Sequence, residues 1–333
     1  MDHFLRNKSK LLLISVLALT LILAGVTLGC EEQVEEEEAT VEGADGEEIP
    51  VQKEIEMAKV EWTCATQKAY VNTAILETLG YDVSRENYTL PIIIEGMSNG
   101  EIDFFTDAWD KTWGQPLDEA LKAGDMIDIN TQIDDASYSP AVPTYVYEAG
   151  VQSLEDLAKY SDKFEYSYYG LESGNDGNEI MIEAFDNDTY GLGEWDIVES
   201  NEAAMITDVR QQMEDEEWVV FSGWEPHYMN VVLDMEYLDD PKGIWGDSES
   251  ISTVVRDGLE EADPNLTKYL KQFDVDQEIV NEWVYEFGYH ERDPEEVAEE
   301  WITENIDIVL QWVDGVYTVD GEDGQEAIEN EFK

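Results

Sequence analysis

The sequence predicts an α/β protein of two lobes, and three observations carry that expectation. Over residues 54–105, short apolar runs alternate with a stretch of helical spacing in the order β-α-β-β, a rhythm that calls for a sheet with crossover helices. The proline-rich break Ser139-Pro140-Ala141-Val142-Pro143 interrupts that series, and a second βα series follows it. The 333 residues, 43% of them hydrophobic with 10 Trp and 17 Tyr, are enough to fill two cores.

The chain opens with Arg6, Lys8 and Lys10, then an apolar run over residues 11–29 that ends at Gly29-Cys30. A charged start, an apolar stretch and a small residue before the cut make a secretory signal. An uncleaved span competes with this, since about 20 apolar residues cross a bilayer. The acidic segment after Cys30, in place of a basic stop-transfer flank, argues against a span. The end of the run resembles a lipobox, with Thr27 where that motif usually has Leu, and the resemblance implies lipid on Cys30. Residues 1–29 are therefore expected to be a signal peptide and residues 30–53 a lipid-anchored acidic tether on the outer face of the cell membrane. The tether's Glu-rich run has no apolar periodicity and stays solvated. With Cys30 lipidated, Cys64 has no cysteine partner, and its neighbours Trp62 and Ala65 mark it as a small buried residue.

Seventy-nine Asp and Glu against 18 Lys and Arg give a formal net charge of −61. Such a surface repels nucleic acid, which excludes that partner class. The aromatic and aliphatic content excludes disorder. Salt screens the self-repulsion, so the acidity reads as adaptation of a halophile's protein to a very salty medium. It says where the protein works, not what it binds.

Taken in order, Ile55, Met57 and Val60 alternate into Trp62 as a first strand. Val71, Ala74, Ile75, Thr78 and Leu79 predict a helix from Tyr70, closed by Gly80. Residues 91–94 are expected to be a short strand, and residues 102–105 the next one. The proline-rich crossing is expected to run on as strand through Thr144-Tyr145-Val146-Tyr147. In the second series, residues 166–169 predict a strand, 170–177 a glycine-rich loop, 179–185 and 203–213 helices, and 218–221 an apolar strand. Tyr237-Leu238-Asp239-Asp240-Pro241-Lys242-Gly243 is expected to return the chain. Asp263-Pro264-Asn265 opens the C-terminal helices, one carrying Ile279, Trp283 and Phe287, another Val297, Trp301, Ile308 and Trp312. The lobes so defined are residues 54–142 with 240–333, and residues 143–239.

Small ligands bind at strand ends and between domains. Four segments fit. Trp109 ends the run before Asp110-Lys111-Thr112-Trp113. Trp224 lies in Ser222-Gly223-Trp224-Glu225-Pro226-His227-Tyr228, where Pro226 sets the turn and His227 shares the loop. Asn175, Asp176 and Gly177 close the glycine-rich loop, where backbone approaches a ligand easily and a helix start offers N–H donors for a carboxylate. Trp62 ends the first strand. Each has a plainer account, core packing for the rings and an ordinary connection for the loop. Together they suit a zwitterion with a bulky cation. A quaternary ammonium donates no hydrogen bond and is held by aromatic faces, each worth about 0.5–2 kcal/mol.

Nothing comparable supports catalysis. Walker, His-Glu-x-x-His and Cys-x-x-Cys motifs are absent from the sequence, and no cofactor is implied. Asp186-Asn187-Asp188-Thr189-Tyr190-Gly191 begins like a calcium loop but has Ile197 where the twelfth-position Glu belongs, so no metal is implied either. Paired carboxylates are too frequent to be informative, which leaves a secreted carboxylate-dependent hydrolase as a rival of another class.

Several segments, in their order and spacing, resemble the glycine betaine/proline betaine-binding proteins of ABC importers. They are Leu79-Gly80-Tyr81-Asp82-Val83, then Gly100-Glu101-Ile102-Asp103 leading to Trp109, then Val151-Gln152-Ser153-Leu154-Glu155-Asp156-Leu157, then Trp224-Glu225-Pro226-His227, then Leu238-Asp239-Asp240-Pro241-Lys242-Gly243. The resemblance implies a two-lobed periplasmic-binding-protein fold of type II, with a two-strand hinge and a ligand cleft between the lobes. It implies a monomer that binds glycine betaine or a related osmolyte for osmoprotection and passes it to an ABC permease in the membrane. Trp109 and Trp224 match cage positions, and the 170–177 loop matches a carboxylate-holding segment. Asn175 stands near a place where some relatives put a third cage Trp. Trp62 first, or else Tyr168, Tyr169, Trp113 or Tyr145, is expected to complete the wall. Choline, proline betaine, ectoine or an amino acid are the alternative small ligands.

Overall fold

The computed structural model describes residues 39–43, 46–246 and 248–333. Cys30, the signal segment and residues 31–38 lie outside them. Eleven strands follow the chain: β1 (Thr40–Glu42), β2 (Glu48–Pro50), β3 (Glu54–Lys59), β4 (Asp82–Asn87), β5 (Phe104–Trp109), β6 (Met126–Pro143), β7 (Ser167–Tyr169), β8 (Asp196–Val198), β9 (Phe221–Glu225), β10 (Met235–Tyr237) and β11 (Glu249–Arg256). The main sheet has the order β4-β3-β5-β11-β6-β9-β7-β8, with β10 also on β6.

β3 lies parallel to β4 and β5. The crossover that such pairing needs is the helix Thr63–Thr78, which buries Val71, Ile75 and Leu76. Gly80 follows its end at φ +91°, a left-handed value that glycine takes without strain. β6 organises the rest. From Met126 to Ala136 it pairs with β11, and from Ser137 to Ala141 it pairs with β9. One long strand therefore belongs to both halves of the sheet and changes partner between Ala136 and Ser137.

Several local expectations give way to packing. Residues 91–94 are not a strand. They belong to the helix Leu90–Ser98, because Leu90, Ile93 and Met97 are buried at helical spacing. Residues 144–147 leave the sheet as the helix Thr144–Glu148, since the register of β10 with β6 ends at Pro143. The second apolar strand begins at Phe221, so Trp224 lies inside β9 and not in the loop after it. Leu238 N–H donates to the Pro140 carbonyl and Asp239 N–H to that of Gln152, so residues 238–239 stay beside β6 and β10 before the chain passes on to β11. The single helix expected over residues 297–312 is two, Pro294–Glu304 and Ile306–Trp312, broken at Asn305. Ordered structure also starts before Glu54. β1 and β2 form a hairpin, Val41 and Val51 are buried, and the Gln52 N–H donates to Asp263 at 2.8 Å.

Candidate ligand-binding site

The change of partner along β6 places Tyr138 where three tryptophans converge. Tyr138 is the direct cross-strand partner of Trp224 on β9. Its ring centroid lies 6.0 Å from Trp224, 6.0 Å from Trp109 at the end of β5, and 5.0 Å from Trp245 on the approach to β11. The interplanar angles of 69°, 68° and 61° are all edge-on. The four rings are buried. Trp109 and Trp224, 115 positions apart in the sequence, thus face one shared ring. The sequence did not single out Tyr138 or Trp245. The alternation Ala136-Ser137-Tyr138-Ser139-Pro140, buried at the even numbers, was the available signal for Tyr138.

The other aromatic candidates divide. Trp62 caps the helix Thr63–Thr78 and reaches the glycine-rich loop, where its indole Nε1–H donates to Glu172 Oε1 at 3.0 Å. Trp113 packs edge-on against Phe105 at 5.8 Å in the core. The Tyr168 hydroxyl shares a 2.9 Å hydrogen bond with Ser222 and is fully buried. Tyr169 is half-buried at the end of β7, and the Tyr145 hydroxyl donates to the Glu217 carbonyl.

His227 sits 4.6 Å from Trp224, ring to ring, and both its nitrogens are engaged. Nδ1 accepts from the Met229 N–H at 3.0 Å, which puts the proton on Nε2 and makes it the donor to Glu202 Oε1 at 2.9 Å. The Glu202 carboxylate also accepts from the Thr63 N–H at 2.8 Å and from the Thr63 hydroxyl. A side chain from the helix Glu202–Glu214 therefore satisfies the open start of the helix after Trp62.

Several donors of the 170–177 loop turn inward, to the loop and to the helix start after it. Asn175 caps the helix Asp176–Asp186, its Oδ1 accepting from the Asn178 N–H at 3.2 Å and from the Tyr138 hydroxyl at 3.0 Å. Asp176 accepts from the Gly177 N–H at 2.8 Å, and Asn178 from the Leu171 N–H at 2.9 Å. The Leu171, Gly177 and Asn178 N–H groups are thus engaged within this segment. Gly177 is needed for a different reason than ligand approach. A Cβ there would come within 2.3 Å of the Tyr138 hydroxyl, so only glycine lets Tyr138 lie against the helix start.

The walls carry buried acids. Asp107 Oδ2 accepts from Trp109 Nε1 at 3.2 Å and from the Cys64 thiol at 3.5 Å, while Oδ1 pairs with Lys68 Nζ at 2.7 Å. Burial pushes the Cys64 thiol well up, in keeping with an inert structural cysteine. Burial also lifts the Asp176 carboxyl to about 6. It lifts Glu249 to about 7, against the opposing pull of the Thr112 N–H and hydroxyl at 3.0 and 2.8 Å. Among the described residues, Asn175 Nδ2 and Trp245 Nε1 are buried donors without a hydrogen-bond partner. Both residues touch Tyr138.

Comparisons with known proteins place the chain in a family and a fold. A family model described as OpuAC, the substrate binding domain of ABC-type glycine betaine transport system, matches residues 53–304. The glycine betaine/carnitine transport binding protein GbuC of Listeria monocytogenes is 40% identical over 129 residues, which are 39% of this chain and 43% of that protein. That alignment spans less than half of the relative. The Chromohalobacter salexigens protein ORF1 is 36% identical over 126 residues, 38% of this chain and 81% of its own length. An ABC-transporter choline binding protein solved with choline has a TM-score of 0.82 at 28% identity, over 84% of this chain and 98% of that one. Lactococcal OpuAC, closed on glycine betaine, has a TM-score of 0.71 at 26% identity, over 78% and 99%. The fold is the two-lobed type II periplasmic-binding-protein class, with its ligand cleft between the lobes.

Proposed function

The chain belongs to the family of substrate-binding domains of ABC-type glycine betaine transport systems, and we propose that it holds a quaternary-ammonium osmolyte against the Trp109, Tyr138, Trp224 and Trp245 rings for delivery to a membrane permease. One observation carries this. Rings from β5, β6, β9 and the approach to β11 meet at Tyr138, and aromatic faces are what a methylated cation requires. The unpartnered Asn175 Nδ2–H and Trp245 Nε1–H suit an acceptor oxygen at the other end of the ligand. A betaine carboxylate and a choline hydroxyl both present one.

On this reading the lobes meet where β6 changes partner, at Ala136–Ser137, a few residues before the boundary the sequence suggests. Trp62 walls the cleft through Glu172. Gly177 makes room for Tyr138, and His227 braces Trp224 with Glu202 instead of touching the ligand. Asp176 lines the wall as an acid. The protein binds without turnover, as a monomer, and is held at the outer membrane face by lipid on Cys30. Binding signals to the permease only if the ligand favours the closed arrangement over the open one.

Calorimetry and thermal shift in high salt test this with glycine betaine, choline, proline betaine, carnitine, ectoine and amino acids. Micromolar binding, about −8 kcal/mol, is expected for the methylated ammonium ligands. Trp109→Ala and Trp224→Ala should each shrink the shift markedly, in step with binding weakened by roughly 30- to 100-fold. Responses to primary amines alone, or to none of the ligands, sink the proposal.

A further inference from the structure

The indole N–H of Trp109, in the ring cluster, and that of Trp62, at the helix start before Thr63, both end on carboxylates, and the two carboxylates differ. Asp107, behind Trp109, is neutralised by Lys68 in a pair with no exposure on either side chain. Glu172, behind Trp62, takes part in no ion pair among the described residues. It is half-buried, and its charge reaches the cluster, opposing ionisation of both Tyr138 and Asp176. Glu172 lies on the loop between β7 and the helix Asp176–Asp186, while Trp62 lies at the end of the β3 segment, 110 positions away. The contact therefore joins the two halves of the sheet that share β6.

A carboxylate that accepts an indole N–H raises the electron density of the ring and sharpens its attraction for a cation. In a site poor in water, its own charge adds a direct Coulomb term. A neutral ligand of the same shape gains from neither. We propose that Glu172 is a specificity-determining residue, which holds Trp62 as a wall of the cage and makes the site select for positive charge over shape. The proposal rests on the ring-cluster function given above and adds the source of its preference for charge.

Glu172→Gln tests it, because the amide oxygen can still accept from Trp62 while the charge is gone. Calorimetry at fixed high salt compares choline with 3,3-dimethylbutan-1-ol, its uncharged isostere. Choline affinity should fall about tenfold, on the scale of one desolvated cation–aromatic contact, and the isostere should change less than twofold. Trp62→Phe keeps a ring face but removes the N–H, and Glu172→Gln in that background should cost choline distinctly less than it does alone. Equal losses for choline and isostere, additive losses in the double variant, or unchanged choline affinity each overturn the proposal. Tetramethylammonium serves as the control on the unaltered protein. If it does not bind, the ring-cluster function itself falls, and this inference with it.

Discussion

Two buried acid sites flank the aromatic cluster and are built in opposite ways. Under Trp109, Asp107 has donors on both oxygens: Lys68 on one, Trp109 and Cys64 on the other. Beside Tyr138, Asp176 and Glu249 share Thr112 and have no cation, and one oxygen of Glu249 has no partner. The first arrangement keeps a charge by pairing it. In the second, burial lifts the carboxyls to about 6 and about 7, and the Asp176 charge adds to the rise at Glu249. Burial alone does not decide what a carboxylate does in this cleft. The presence of a cation decides it.

Breaking the paired site should cost most. Lys68→Met leaves Asp107 buried and uncompensated, and about 3–5 kcal/mol of unfolding free energy should be lost in denaturant titrations at constant high salt. A loss below about 1 kcal/mol would show that Asp107 is not charged as the contrast requires. Trp224→Ala comes next. It removes one ring beside Tyr138 and should weaken choline or glycine betaine binding by roughly 30- to 100-fold, about 2–3 kcal/mol.

The unpaired site gives a smaller, pH-dependent effect. A carboxyl raised in the folded state stabilises fully below its unfolded value of 4.5, and that contribution is lost as pH rises through about 7. Glu249→Gln should therefore be the more stable protein at pH 8, by about 1–2 kcal/mol, while the two unfolding curves converge near pH 4.5. Parallel curves over that range would erase the difference between the two acid sites. The smallest effect is expected from Tyr138→Phe. It deletes only the hydroxyl that donates to Asn175, about 1 kcal/mol of stability, and should leave cation affinity within a few-fold because the ring remains.

Much of the scaffold was legible because it rests on short-range patterns. The helix over residues 70–78, its glycine stop and a strand at residues 104–105 follow from apolar spacing and local chemistry, while the helix in fact begins at Thr63, directly after Trp62, and the strand runs on to include Trp109. Residues 91–94 misled because a short apolar run fits strand and helix equally, and only the burial of Leu90, Ile93 and Met97 on one side separates them. His227 and the 170–177 loop were legible as members of the site but not in their bonding. His227 bonds to Glu202, and the Leu171, Gly177 and Asn178 N–H groups go to Asn178, Asp176 and Asn175, partners that spacing does not reveal.

Taken alone, the sequence determined the α/β class, the resemblance to betaine-binding proteins, the extreme acidity and two of the four clustered rings. These depend on residue type and on neighbours a few positions apart. Tertiary structure alone decided that Tyr138 joins Trp109 to Trp224, that Trp245 comes with them, and which carboxylates keep a cation. The physical reason is the long strand β6, which changes partner at Ala136–Ser137 and so brings together side chains more than a hundred residues apart in the chain. Contacts between strands distant in sequence leave no periodicity for a local pattern to record.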